Sequence, residues 1–339
     1  MTNKTVIFGA PKTFNLSNEI IRNLEFLGFK VIDISFDQKF KYRSIFQRLK
    51  NTYRKVLFND RSLKTKYRFE NYEKDIQQQL SKISKADYAL IIRPDNYPLS
   101  FIKNLKNKAN LLVGYQWDGM HIFPEVTKYV PHFNRFFVFD PKDVSETQLP
   151  LTNFYLDYYY NEVPKSKLKP NAFFLGTYLE CRMPGMVGIA KALDQTNFDT
   201  EFILITNKKD LENKYPQKGF VFTSSRVSFN TYLEKVKESS ILIDFLNNRH
   251  NGLSFRFFEA LKEEKKLITN NPDVRNYDFY HKDNIFVFND KNLHEISDFL
   301  QTPYKKIPNE IKEKYSFTNW IRYVLDLENH TPITLPLKE

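Results

Sequence analysis

The chain of 339 residues contains a single cysteine, Cys181, so it cannot form an internal disulfide bond. A chain without disulfides fits a reducing compartment such as the cytoplasm. A zinc site built on several cysteines is excluded for the same reason, and the six histidines show no paired metal-ligand spacing. The sequence therefore predicts neither a disulfide-stabilised secreted domain nor a structural zinc centre.

Long apolar runs are also lacking. No window approaches the roughly 18 uninterrupted apolar residues that a membrane-spanning helix needs. The first residues, MTNKTVIFGAP, lead directly into a strand-like run, without the basic leader and apolar segment of a signal peptide. From these patterns we expect a cytoplasmic protein that is at most peripheral on the inner face of the cell membrane.

The net positive charge of the chain is concentrated in one segment. The chain has a formal net charge of +11. Residues 39–68 hold eleven Lys or Arg against one acid, so this segment accounts for nearly all of it. Residues 40–58 place apolar side chains at helical spacing, with Lys and Arg on much of the opposite face. Such a helix suits an anionic membrane surface. A helix packed on its own domain is the alternative, and RNA binding is a third interpretation that no nucleic-acid motif supports.

Short apolar runs alternate with helical patterns along both halves of the chain, which predicts parallel sheets covered by helices. In the first half the predicted strands are Thr5–Phe8, Val31–Ile34, Tyr88–Ile92, Leu111–Tyr115 and Phe136–Phe139. In the second half they are Ala172–Leu175, Phe202–Ile205, Phe220–Phe222, Ile241–Phe245, Lys266–Thr269 and Ile285–Phe288. The pattern breaks at Asn161–Pro170, a proline- and lysine-rich stretch typical of a linker.

These patterns predict an α/β protein of two Rossmann-like, doubly wound domains. We place the first domain at 1–165, with a basic amphipathic insertion at 39–70, and the second at 166–315. A closing helix and tail occupy 316–339. Because ligands bind at the carboxyl ends of strands in such sheets, a cleft faced by both domains is the expected site.

The segment Asn251–Asn271 carries the most specific chemistry. Gly252 allows a tight turn and close backbone approach, and Ser254 is a good N-cap for the helix that follows. The free N–H groups and positive end of that helix would stabilise a diphosphate. Arg256 could add a charge-assisted contact to phosphate, and the Glu259 carboxylate could accept hydrogen bonds from ribose hydroxyls. The alternative is an ordinary amphipathic helix in which Arg256 and Glu259 form a surface pair.

This segment resembles the nucleotide-sugar motif of bacterial glycosyltransferases of the GT-B architecture, especially the CgeB-like and group 1 families with their G-[LM]-S-x-R-x-x-E-A-L pattern. The resemblance covers roughly residues 170–300, and the sequence EEKK at 263–266 stands where those families often have a glycine-containing turn. It implies a two-domain fold and a glycosyltransferase of surface polysaccharide, capsule or lipopolysaccharide synthesis. It also implies these donor-binding residues: Gly176, Thr177, Arg182, Asn251, Gly252, Ser254, Arg256 and Glu259. In other GT-B proteins the last helix crosses back to the first domain.

Gly176, Thr177 and Arg182 follow the first strand of the second domain. Gly176 would let the backbone approach a ligand, and Arg182 could neutralise phosphate charge. The alternative is a plain turn with a solvated arginine.

In the first domain a polar, aromatic cluster follows the strand Leu111–Tyr115. Trp117 offers a flat face to a sugar ring, and Asp118 or His121 could take the proton of an acceptor hydroxyl. Asp95, at the end of the preceding strand, competes for that role. Asp118 could instead cap a turn, and a structural role suits His121 better than catalysis.

No DxD pair stands in the strand–loop context that holds a divalent metal, since Asp143 and Asp157 are isolated. We therefore expect a metal-independent enzyme with no cofactor, in which helix amides and Arg256 stabilise the leaving diphosphate. Its expected partners are a UDP-, GDP- or CMP-linked sugar and a saccharide acceptor, which could be lipid-linked. Two alternatives remain: a nucleotide-sugar epimerase of the same architecture, and a non-enzymatic protein that binds anionic membranes.

Overall fold

The computed structural model describes residues 3–12, 15–38, 40–58, 62–158, 168–246 and 251–336. Most of the predicted linker, residues 161–167, lies outside the described residues, as does His250. The chain forms two compact units. The first contains Met1–Leu151 and Trp320–Glu339, and the second contains Thr152–Asn319.

The first unit contains a six-stranded sheet in which every pairing is parallel. Its strands are β1 (Thr5–Gly9), β2 (Lys30–Asp33), β3 (Ala86–Ile92), β4 (Ala109–Gln116), β5 (Arg135–Val138) and β6 (Leu149–Pro150), in the order β2-β1-β3-β4-β5-β6. Its helices are α1 (Leu16–Phe26), α2 (Ile45–Phe58), α3 (Ser62–Phe69), α4 (Glu73–Leu80) and α5 (Leu99–Leu105). The central strands are almost wholly apolar because helices cover a parallel sheet on both faces.

The second unit repeats this design with a different strand order. Its strands are β7 (Lys169–Thr177), β8 (Asp199–Ile205), β9 (Phe220–Thr223), β10 (Ser239–Asp244), β11 (Lys266–Thr269) and β12 (Ile285–Val287), in the order β12-β11-β10-β7-β8-β9. Its helices are α6 (Met183–Leu193), α7 (Leu211–Lys214), α8 (Phe229–Glu238), α9 (Phe255–Lys262), α10 (Ile296–Gln301) and α11 (Asn309–Lys314). Because β7 and β10 are neighbours, the chain direction across the sheet reverses between them, and such switch points are where open α/β sheets bind ligands.

The last helix, α12 (Phe317–Val324), begins in the second unit and ends in the first. Trp320 is fully buried in the first unit, with its ring 5.6 Å from that of Tyr115. Tyr323 packs edge-on against Phe137 at 5.4 Å. The end of the chain therefore supplies part of the core of the unit in which the chain begins.

Helix α2 confirms that the basic segment is helical, but its apolar side chains do not pack on its own unit. Six of them, here called the apolar stripe, are 58–78% exposed: Ile45, Phe46, Leu49, Tyr53, Val56 and Leu57. The one buried residue of the helix is Asn51, whose amide nitrogen donates to the Tyr42 hydroxyl at 2.9 Å. Among the described residues, no helix is long and apolar enough to cross a membrane.

The turn after α9 replaces the expected glycine with a strained residue. Glu264 has a φ of +52°, in the left-handed region that glycine usually occupies. Around it the Glu263 N–H bonds the Glu259 carbonyl at 3.0 Å, and the Lys265 N–H bonds the Ala260 carbonyl at 2.9 Å. The backbone thus ends the helix as the glycine turn would, at a conformational cost.

Candidate functional site

The clearest constellation of polar side chains lies at the switch point of the second unit. Leu175 and Gly176 are near the carboxyl end of β7, and Asp244 ends β10. Helix α9 starts directly after Ser254, whose backbone is extended at φ −66° and ψ 166°. The helix start therefore lies against the ends of both central strands, where its unpaired N–H groups favour an anion.

Arg256, in the first turn of α9, joins the two strand ends. Its Nη1 lies 3.3 Å from Asp244 Oδ1, and its Nη2 donates to the Leu175 carbonyl oxygen. The guanidinium also lies over the Phe174 ring, 4.7 Å from its centroid. Packing and hydrogen bonds thus fix the side chain, while its buried Nε donor has no partner among the described residues.

Arg182 brings a second positive charge to the same place. Its Nη2 lies 3.5 Å from the carbonyl oxygens of Phe245 and Leu246. Burial lowers the pKa of Arg182, the positive charge of Arg256 lowers it further, and Asp244 opposes both. Two guanidiniums that repel each other beside one carboxylate leave a net positive charge, which an anionic ligand would offset.

These side chains enclose a cavity of about 150 Å³. Four predicted donor-binding residues line it: Arg182, Gly252, Ser254 and Arg256. Gly176 lies at the edge of this cavity, because a Cβ atom at Gly176 would lie 3.7 Å from Arg256 Nη2. Thr177 is exposed and Asn251 half-buried, and neither lines the cavity. The structure thus brings five of the eight predicted residues together.

Ser254 takes the N-cap position, but its side chain does not cap the helix. The hydroxyl donates instead to Asp244 Oδ1 at 2.7 Å. The Thr269 hydroxyl lies 3.3 Å from Asp244 Oδ2. The predicted capping bond is absent: the hydroxyl donates its hydrogen to the buried carboxylate, and this charge-assisted bond holds the side chain at Asp244, where its oxygen accepts no backbone N–H of the helix.

Asp244 is the residue that sequence reasoning missed. It is 2% exposed and accepts from Ser254, Arg256 and Thr269. Its position as the only charged residue in the apolar run ILIDF was a usable indication, because a charge at a buried strand end needs partners. Asn271, the last residue of the segment Asn251–Asn271, also lines the cavity, although no role was predicted for it.

Glu259 lies deeper than expected, at 1% exposure, and does not line the cavity. Its Oε2 accepts a hydrogen bond from the Tyr232 hydroxyl, and its Oε1 has no partner among the described residues. Burial raises the pKa of Glu259 to about 7, against the lowering effects of Tyr232 and Arg256. The alternative of a solvated surface pair between Arg256 and Glu259 is therefore wrong. The role in ribose binding stays a prediction.

In the first unit, one arginine joins two of the predicted bases. Arg93 follows β3 with a left-handed φ of +57°. Its Nε and Nη2 donate to the two carboxylate oxygens of Asp95, each at 2.8 Å, and its Nη1 donates to Asp118 Oδ2. The guanidinium stacks on Phe123 at 3.8 Å. Both oxygens of Asp95 are therefore occupied, whereas Asp118 Oδ1 has no hydrogen bond within the described part of the chain.

Trp117 and His121 lie on the loop after β4, on either side of the buried Gly119 and Met120. Trp117 is half-buried and His121 is exposed. The loop is held by Asp143, whose Oδ2 accepts from the Met120 N–H at 2.7 Å. In the described ranges, no group of three His, Cys, Asp or Glu side chains is arranged to hold a metal ion.

No protein-family model and no curated protein matches the sequence. Solved structures do match. An α-glucosyltransferase in complex with UDP and a 13-mer DNA containing an HMU base is 10% identical, with a TM-score of 0.55 over 96% of this chain and 94% of that one. The α-glucosyltransferase in complex with UDP-glucose and DNA containing an abasic site has the same score and identity, over 95% and 93%. A Listeria monocytogenes protein provisionally assigned as a UDP-N-acetylglucosamine 2-epimerase is 9% identical, with a TM-score of 0.52 over 99% and 100%.

At these identities the matches establish the fold alone. Together with the two parallel six-stranded sheets and their flanking helices, they confirm the predicted GT-B architecture. Enzymes of different reaction classes share this fold, so the reaction must be argued from the site.

Proposed function

We propose that the chain is a glycosyltransferase that moves a sugar from a nucleotide-sugar donor to a saccharide acceptor. The observation that carries the proposal is the pair Arg182 and Arg256 beside the single carboxylate of Asp244, at the start of α9 and at the switch point of the sheet. Two guanidiniums, the free amides of a helix start and one buried carboxylate leave a net positive charge, which would offset part of the charge of a diphosphate without a metal ion.

The proposed reaction needs a leaving-group stabiliser and a base. The bond between the donor's anomeric carbon and the diphosphate oxygen breaks, and the charge that develops on the diphosphate meets Arg182, Arg256 and the helix start. The acceptor hydroxyl forms the new bond and loses its proton to a carboxylate. We assign that role to Asp118, because its Oδ1 accepts no hydrogen bond from the described residues, whereas both oxygens of Asp95 are held by Arg93. Asp95 then positions Arg93.

The proposal extends to the nucleotide of the donor and to the pathway in which the enzyme acts. UDP is the first candidate, since the α-glucosyltransferases of the same fold were solved with UDP or UDP-glucose. The resemblance of residues 251–261 to CgeB-like and group 1 enzymes supports a role in bacterial surface glycan synthesis, with a saccharide acceptor that is lipid-linked. Trp117 is the proposed stacking surface for that acceptor.

Calorimetric titration with UDP, GDP and CMP tests the donor site. We expect one nucleotide to bind, and Arg256→Met and Arg182→Met each to weaken binding at least about tenfold, the effect of losing one charge-assisted contact. Arg275→Met is the matched control, because Arg275 is exposed and does not line the cavity. If no nucleotide binds, or if all three variants bind equally well, the donor-site assignment fails.

An epimerase is the second candidate, favoured by the match to the Listeria monocytogenes protein over the whole of both chains. An epimerase changes the sugar of the nucleotide donor and needs no acceptor. Incubating each bound nucleotide sugar alone, with analysis of the product by chromatography, separates the two reactions. A new nucleotide sugar would identify an epimerase, whereas the transferase yields product only when an acceptor is added.

We further propose that α2 holds the enzyme on an anionic membrane surface. With about 3.6 residues per turn, the apolar stripe fills an arc of roughly 120°. The buried Asn51 falls about opposite the centre of that arc. The helix is therefore attached to its unit by its polar side, and Arg43 adds a bond from Nη2 to Asn71 Oδ1 at 2.6 Å. The apolar stripe is presented to the outside.

The charges beside the stripe fit a lipid surface. Arg48, Lys50, Arg54 and Lys55 lie on the two sides of the apolar arc. A helix at the interface buries its apolar face among acyl chains and keeps its cations at the headgroups. Each such cation adds about 1 kcal/mol near an anionic leaflet. A nucleic-acid surface would use the cations but would leave the apolar stripe in water, so the stripe favours lipid.

Sedimentation with vesicles tests this surface. We expect the protein to bind phosphatidylcholine vesicles that contain about one third phosphatidylglycerol, and to bind less as salt is raised. Phe46→Asp with Leu49→Asp should abolish binding, whereas Val221→Asp, at an exposed apolar position of the second unit, should not. Binding to labelled duplex DNA with no binding to vesicles would overturn the proposal and restore the nucleic-acid interpretation. Vesicle binding without any nucleotide affinity would instead identify a non-enzymatic membrane protein.

A further inference from the structure

A cavity of about 730 Å³ lies in the first unit, in addition to the one beside Arg256 in the second unit. Its walls come from α3, from the loop after β3 and from the loop after β4. β3 and β4 are neighbours in the sheet, and their carboxyl ends are the edge at which open parallel sheets bind ligands. The cavity is several times larger than the one beside Arg256, and its size suits a saccharide.

Arg68, on α3, has an unsatisfied charge in this cavity. Its Nη2 donates to Asn96 Oδ1 at 2.9 Å, and its Nε is buried with no hydrogen-bond partner in the described ranges. No carboxylate within the described residues forms an ion pair with it, and burial lowers its pKa, an effect that the nearby charge of Asp95 opposes. A half-buried guanidinium held by a neutral amide is costly unless an anion joins it.

Asp95 attracts Arg68, but no carboxylate lies within ion-pair distance of it among the described residues of the cavity. Its lining contains two carboxylates, and both have another partner: Asp95 is bonded by Arg93, and Glu125 by Lys128. With Arg68 and Lys66 added, the lining holds four cations against two acids, a net charge of +2. The excess charge therefore centres on Arg68 and Lys66, both on α3.

Aromatic side chains form another part of the wall. Phe123 is held by the Arg93 guanidinium on its face, and the buried Tyr129 donates its hydroxyl hydrogen to the Tyr97 carbonyl at 2.8 Å. Both rings are thus fixed before any ligand arrives. A rigid apolar surface next to cations that form no ion pair with the described residues suits a sugar ring that carries a negative charge.

We propose that this cavity binds the anionic group of the acceptor, a phosphate or a carboxylate on a saccharide, and that Arg68 is the residue that binds it. That this anion belongs to an acceptor rests on the proposed transferase function. The anion site itself does not, since it depends on Arg68 and not on Arg256. The proposal makes the enzyme selective for acidic over neutral acceptors.

Binding titrations with three probes test the site: N-acetylglucosamine 1-phosphate, glucuronate and glucose. They are run on the Arg256→Met variant, so that the donor site does not capture the sugar phosphate. We expect at least one charged sugar to bind about tenfold or more tightly than glucose, and the preference between the two names the anion. Arg68→Met should remove this difference and Arg68→Lys should retain part of it, while Lys64→Met, an exposed change on the same helix, should have no effect.

Equal binding of charged and neutral sugars, or charged binding that survives both Arg68 variants, would overturn the proposal. Circular dichroism of each variant checks that it is folded, and Arg68→Lys keeps the test valid if Arg68→Met is not. Failure of the transferase proposal looks different. In that case no nucleotide binds to the wild-type protein, yet the dependence on Arg68 remains.

Discussion

Tyr232 donates its hydroxyl hydrogen to Oε2 of Glu259, and both side chains are buried in the second unit. Burial raises the pKa of Glu259 to about 7, and the hydrogen bond limits the rise. In the unfolded chain a glutamate has a pKa of about 4.3. Between these values the folded protein keeps a proton that the unfolded chain has lost.

Stability should therefore fall as the pH rises from about 4.5 to 7 and should level off above that range. The loss attributable to Glu259 has an upper limit of about 3.5–4 kcal/mol. Urea unfolding of the wild type and Glu259→Gln across this range measures it, since the difference between the two should change only within the window. Tyr232→Phe should move the upper end of the window to higher pH. Parallel stability curves for the wild type and Glu259→Gln would contradict the assignment, and Glu212→Gln, at an exposed site, is the control.

Glu264 offers a change that should stabilise the protein. Its φ of +52° costs a residue with a side chain more than it costs glycine, so Glu264→Gly should raise the free energy of unfolding by about 0.5–1 kcal/mol. The gain is reduced slightly by losing the exposed ion pair to Lys312. Thermal unfolding measures it. Glu263→Gly is the matched control and should destabilise, because Glu263 has a φ of −85°. The same sign of change for both variants would contradict this account.

Substitutions of Asp118 and of Asp95 should lower kcat by different amounts. If Asp118 takes the acceptor proton, Asp118→Asn should lower kcat by about 10²–10⁴-fold and leave donor affinity unchanged. Asp95→Asn leaves that base in place and should reduce kcat less, through a misplaced Arg93. Steady-state kinetics with saturating donor measures both. A larger loss in Asp95→Asn would reverse the two roles, and His121→Ala, an exposed change, should leave kcat nearly unaltered.

The two tryptophans should respond differently to removal. Trp320 is fully buried against Tyr115, so Trp320→Ala should cost about 3–5 kcal/mol of stability. Trp117 is half-buried on a loop, so Trp117→Ala should cost much less but should weaken acceptor binding. Urea unfolding followed by circular dichroism compares them. Equal destabilisation would show that the loop after β4 is part of the core.

The pattern of apolar residues alone predicted most of this fold. A buried parallel strand appears in the sequence as a short apolar run, and few other segments of this chain have that pattern. All eleven predicted strands are present. The edge strand β6, of two residues, carries no apolar run and was missed. Helices α3 and α4 were not predicted, because the many charged residues in these segments obscure the apolar periodicity of a helix.

The site was predictable only where its residues are neighbours in sequence. Gly252, Ser254 and Arg256 form a local pattern, and the cavity includes all three. Asp244, Tyr232 and Arg93 act through partners distant in sequence or across strands, and no local pattern shows which carboxylate a guanidinium will reach. The exposure of the apolar stripe was equally inaccessible, because a sequence shows that a helix is amphipathic but not which side attaches to the protein.

The path of α12 also bears on how the protein assembles during synthesis. Residues 152–319 form one continuous stretch, so the second unit can fold as soon as they leave the ribosome. The first unit lacks Trp320 and Tyr323 until the last part of the chain is made. Although its sheet is translated first, that unit is completed last, and a nascent chain stopped before Trp320 would expose the apolar surface around Tyr115 and Phe137 to chaperones.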